Sequence, residues 1–94
     1  MNPAGPDQKR LTLSARAARA LVERRRLGAG RCGAIEARLG GVGLNAHAFM
    51  AAVFPGGKPG QWTVHDVLGW VASGEKVPAG FSWDGLVAYA LRGP

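Results

Sequence analysis

The residues in this 94-residue chain with the clearest capacity for chemistry are Cys32, His47 and His65. A thiol beside an imidazole can act as a nucleophile–base pair, because the imidazole takes the thiol proton. Cys32, however, shares a helical edge with Ile35 and Leu39, which predicts a buried, unreactive packing residue. The two histidines each stand two residues after a helix-capping residue, Asn45 and Thr63, in the hydrated first turn of a helix. Zinc sites gather about four ligands at clustered spacing, and these three residues are isolated from one another. The carboxylates are scattered too, with no close pair for acid–base work. Gly28, Gly30 and Gly33 spell G-x-G-x-x-G, but a dinucleotide loop follows a strand and has an acid about twenty residues further on. Here a helix precedes the glycines, and no Asp or Glu stands between Glu36 and Asp66, so they are read as a helix junction. The chemistry-bearing residues therefore point to a non-enzyme with no cofactor and no metal. A cysteine enzyme is a minor alternative.

Charge is more informative than any of these. Residues 1–38 carry Lys9, Arg10, Arg16, Arg19, Arg24, Arg25, Arg26, Arg31 and Arg38 against Asp7, Glu23 and Glu36. Residues 39–94 carry Lys58, Lys76 and Arg92 against Asp66, Glu75 and Asp84. The net charge of +6 thus lies wholly in the first part of the chain, a distribution that suits a polyanion or an acidic protein surface. A basic helix that keeps the protein soluble is the plainer account. The triplet Arg24-Arg25-Arg26 ends the first helix, where cations also complement the helix dipole.

These residues must be positioned by helices, since strand signals are weak throughout. Residues 1–10 contain Pro3, Gly5 and Pro6 without apolar periodicity and read as a disordered basic tail. Thr12 or Ser14 caps a helix running to about Leu27, with Leu13, Ala17, Ala20, Leu21 and Leu27 on one side. Arg24 falls on that same side and must snorkel or lie beyond the packed turns. Glu23 is spaced to pair with Arg19 or Arg26. A short helix follows from about residue 31 to 39, ended by Gly40 and Gly41.

Three further segments share one device, in which apolar residues flank an N-cap at helical spacing: Leu44-Asn45…Phe49, Trp62-Thr63…Val67 and Phe81-Ser82…Leu86. This is the hydrophobic staple, which fixes the angle at which the chain enters the helix while the cap side chain satisfies a free N–H. Pro55 and Gly74 stop the first two of these helices, and Gly93-Pro94 the third. The segments 56–61 and 75–80 read as loops. The fold expected is all-α, a small bundle of four or five short helices over residues 11–94 behind the tail.

The helix pair within 34–53 has the layout of a helix-turn-helix, but its second helix presents Ala46, His47, Ala48, Ala51 and Ala52 and no Arg, Lys or Gln to read bases. The most apolar run, 48–54, is too short to span a bilayer, residues 1–10 lack a signal-peptide core, and one cysteine allows no intrachain disulfide. A cytoplasmic protein without membrane partners is expected. Arg and Gly richness with a single Ile and a single Tyr suggests GC-rich bacterial or phage coding.

The expected function is a binding module for nucleic acid or a nucleoprotein complex. Arg16, Arg19, Arg24, Arg25, Arg26 and Arg31 would contact phosphates without strong sequence specificity. The alternative is a protein-binding accessory factor of phage or mobile-element type, an assembly factor or an inhibitor of a host complex. In that reading the same arginines face an acidic protein surface. Trp70 and Tyr89, which fall off the main apolar stripes, would then be partner anchors, unless they close the core from the side. For the caps, replacing Asn45, Thr63 or Ser82 by Ala is expected to cost about 1 kcal/mol each, read from the midpoint of urea unfolding.

Overall fold

The computed structural model describes residues 11–40, 44–57 and 60–92. Five α-helices account for most of them: α1 Leu13–Arg25, α2 Cys32–Leu39, α3 Ala46–Val53, α4 Val64–Ser73 and α5 Trp83–Arg92, with a 3-10 turn at Ala29–Arg31 between α1 and α2. There is no strand among the described residues. The all-α expectation holds, while the expected tail over residues 1–10, the glycines at 41 and 43 and the stop at 93–94 lie outside the described residues.

All four caps are side chains on the residue just before the helix. Thr12 Oγ1 accepts from the Ala15 N–H at 3.1 Å, so Thr12 rather than Ser14 opens α1. Asn45 Oδ1 accepts from Ala48 N–H at 2.9 Å, and Ser82 Oγ from Gly85 N–H at 2.9 Å. Thr63 forms a full capping box, in which the Asp66 carboxylate accepts from the Thr63 N–H at 2.9 Å. The three staples therefore mark three real helix starts. Each satisfies an N–H that helix geometry leaves without a partner.

Helix α1 is the centre of the bundle. It packs on α4 along one side and on α2 along the other, while α5 packs on α3 and on α2. This explains why its apolar stripe is broader than the one read from Leu13, Ala17, Ala20 and Leu21. Ala15, Ala18 and Val22 are buried as well, since both α4 and α2 pack on α1. The turnback is tight at Gly40, where an added Cβ would come within 2.6 Å of Ser14 Oγ. Ile35 and Leu39 supply α2's share of the core. Cys32 does not: it is half-buried, a correction to the expected burial. It is the first residue of α2, straight after the exposed 3-10 turn, and reaches only the rim of the core.

The second pairing, α3 with α5, depends on one glycine. The Ser82 N–H donates to the Val53 carbonyl at 2.7 Å, joining the end of α3 to the start of α5. Three residues on, α5 passes so close to α3 that a Cβ on Gly85 would sit 1.9 Å from the Ala52 carbonyl oxygen. Phe49, Val53, Phe54 and Leu86 close the core there, and no polar or charged side chain is buried among the described residues. The two helices weighed as a helix-turn-helix each pack on α5, so they do not form that motif's mutual pair. Two glycine substitutions should therefore differ in sign. Gly85→Ala is expected to lose at least about 1–3 kcal/mol through overpacking. Gly69→Ala, inside α4 with nothing near its added Cβ, is expected to gain about 0.5–1 kcal/mol. Urea unfolding of the two variants reads both.

Candidate functional site

Helix α1 sets out the basic residues, and the structure sorts them into two groups. Arg16, Arg19, Arg26 and Arg31 are exposed, and among the described residues none makes an ion pair or stacks on a ring. Arg24 and Arg25 are engaged with the start of α5. The Arg24 guanidinium carbon lies 4.0 Å from the centroid of a Trp83 ring, a cation–π contact. Arg25 Nη2 is 3.1 Å from Asp84 Oδ1. Asp84 is almost fully exposed, so this ion pair adds little stability. Arg24 thus neither snorkels into the core nor hangs free. It borders a depression lined by Val71, Ala72, Ser73 and Gly74 of the α4 end and by Trp83. Glu23 pairs with neither Arg19 nor Arg26, since the ion pair among the described residues is Arg25–Asp84.

The triplet also decides how α1 ends. The helix stops at Arg25, two residues short of the expected Leu27. Arg26 adopts a left-handed conformation, φ 54° and ψ 47°, and the next N–H, that of Leu27, donates back to the Val22 carbonyl at 3.0 Å. Helix α4 closes the same way, with left-handed Gly74 followed by the Glu75 N–H on the Trp70 carbonyl at 3.1 Å. Both are Schellman closures, which favour glycine at the left-handed position because a Cβ there crowds the backbone. Arg26 fills that position at a cost of about 1 kcal/mol.

A seam runs between α1 and α4. Its first part is a depression of about 260 Å³ bordered by Leu11, Arg16, Arg19, Ala20, Glu23 and Ala72. A second depression, about 440 Å³, shares Ala20, Glu23 and Ala72 with it and ends at Arg24 and Trp83. A separate hollow of about 540 Å³ opens between α3 and the start of α4. Met50, Phe54, Trp62 and Val64 make its apolar walls, and His47 and Thr63 are its polar side chains.

Trp70 and Tyr89, weighed as anchors, are both used in packing. Tyr89 is 4% exposed. Its ring meets Phe49 edge-on at 5.2 Å, and its hydroxyl accepts from the Asn45 N–H at 2.9 Å. Trp70 is half-buried inside an aromatic cluster, 5.2 Å from Trp62, 6.3 Å from Phe54 and 6.0 Å from Phe81, all edge-on. Phe81 in turn meets Trp83 at 5.1 Å. Trp62, read from sequence only as a staple, is the exposed large aromatic of the described residues, at 37%. That Trp83 and Asp84 pair with the basic triplet was not legible in the sequence. Their partners lie some sixty positions earlier in the chain, and no local pattern signals such a contact.

His47 and His65 are exposed, and no three His, Cys, Asp or Glu among the described residues are grouped to hold a metal ion. No helix among the described residues is long and apolar enough to cross a membrane. The left-handed Arg26 generates a test. Arg26→Gly is expected to raise stability by about 0.5–1 kcal/mol in urea unfolding, since glycine adopts this conformation without the Cβ clash. No family model, curated protein or solved structure matches this chain.

Proposed function

We propose that the protein is a non-enzymatic module that binds the phosphate backbone of nucleic acid, alone or in a nucleoprotein complex, without strong sequence specificity. The observation that carries this reading is the group Arg16, Arg19, Arg26 and Arg31. These guanidinium groups lie on α1 and the turn after it, exposed and uncommitted to any ion pair among the described residues. Phosphate contact asks for exposed cations and little else, and the energy comes from releasing counterions. Arg26 adds a second support, because a cation is kept at a position where glycine would be more stable. The exposed face of α3 carries Ala46, His47 and Ala51, which offers no set of base-edge readers.

A second reading, a protein partner, is favoured by one observation, the apolar hollow beside Trp62. A protein surface with an acidic patch and an apolar side chain for the hollow would suit both features. The origin of the protein from a phage or mobile element belongs to this second reading and rests on coding composition, while a place in the cytoplasm is proposed under both readings.

Fluorescence anisotropy with labelled DNA or RNA of mixed sequence distinguishes the two. The log–log dependence of affinity on salt should have a slope near −0.9 per phosphate contacted for a duplex and near −0.7 for a single strand. Changing Arg16, Arg19, Arg26 and Arg31 together to Gln should flatten that slope and leave the helical circular dichroism unchanged. Absence of binding to DNA and RNA at low salt, or a slope untouched by the fourfold change, would transfer the arginines to an acidic protein partner.

A further inference from the structure

We propose that the seam between α1 and α4 takes a single strand of nucleic acid, with one unstacked base laid against the Arg24–Trp83 pair. The inference rests on the phosphate-binding reading and adds the form of the ligand. Three observations lead to it.

The first is the platform. Arg24 is exposed, and its guanidinium lies over the Trp83 ring at 4.0 Å. A guanidinium held against an indole on one side still has its other planar face, and nucleobases stack on such faces as they do on aromatic rings. The platform stands at the end of the seam whose other end carries Arg16 and Arg19. Phosphates can follow those two arginines toward it.

The second is the shape. The two depressions adjoin at Ala20, Glu23 and Ala72 and make a shallow track along the seam. A duplex is convex and keeps its bases stacked inside, so it would meet only the rim of this track. A flexible strand can enter it.

The third is Glu23. Glu23 lines both depressions, beside Arg16 and Arg19 in one and Arg24 in the other, and forms no ion pair among the described residues. The C-terminal end of α4, at Ser73 and Gly74, borders the same depression and adds the negative end of a helix dipole. A phosphate would be repelled there, while an N–H donor would be welcomed. In a duplex the Watson–Crick donors are already paired. In a single strand the amino and imino hydrogens of a turned-in base are free to meet the carboxylate. The charge pattern therefore places phosphates at the rim and a base in the seam.

The test compares a short mixed-sequence single strand with the hairpin-closed duplex of the same sequence at the same low salt, using the wild-type protein and Arg24→Lys. Lysine keeps the charge and loses the planar face. The single strand should bind about tenfold or more tighter than the duplex. Arg24→Lys should weaken single-strand binding roughly 5- to 150-fold, the range for loss of one stacked base, and leave duplex binding nearly unchanged. Arg24 is exposed, and unaltered circular dichroism would verify that the variant folds. Equal, salt-sensitive binding of both ligands would overturn the inference while the phosphate-binding reading stands. So would single-strand binding that ignores Arg24→Lys. Failure of both ligands to bind would overturn the two together.

Discussion

Alanine and glycine set the terms on which this bundle packs. Each alanine buries little apolar surface, so a core rich in alanine gains from bringing helix backbones close together rather than from large side chains. Ala17 and Ala18 are fully buried on α1, the helix on which both α4 and α2 pack. Gly85 admits α5 against α3, where the Ala52 carbonyl occupies the space of a Cβ. The larger side chains, Phe49, Phe54, Leu21 and Leu86, fill what remains. With no charged side chain in the described core, the arrangement is specified by shape, by the caps at the helix starts and by the Tyr89 hydroxyl on the Asn45 N–H.

The helix starts were legible in the sequence because capping is local. Asn45, Thr63 and Ser82 each act on an N–H three residues away, and the flanking apolar pair repeats at a fixed spacing. The end of α1 was less legible. Gly28 looked like the natural stop, but an arginine took the left-handed position two residues earlier. Propensity alone does not anticipate a strained choice of that kind. The face of α1 was read only in part, since periodicity identifies one stripe and cannot say that two helices will press on it from different sides. Cys32 was misjudged for a related reason. Its spacing to Ile35 and Leu39 was right, but its place at the first residue of α2 left it at the rim.

Of the candidate site, the sequence supplied the arginines and could not sort them. Whether a guanidinium is committed depends on residues distant in the chain, here Trp83 and Asp84 at the start of α5. The sorting matters for function, since Arg16, Arg19, Arg26 and Arg31 keep their full capacity for an anion while Arg24 is held in a fixed pose. The same limit applied to the aromatics. Trp70 and Tyr89 fall off the main stripes of their helices, yet the first joins a ring cluster and the second fastens the start of α3 through its hydroxyl.

That ring cluster has an optical consequence. Trp62 and Trp70 lie 5.2 Å apart, and Trp83 reaches the same group through Phe81 at 5.1 Å. Excitation energy passes between indoles at the Trp62–Trp70 separation, so those two do not emit independently of each other. Light absorbed by Trp62 beside the apolar hollow is therefore reported in part from Trp70, and only single-tryptophan variants separate the two.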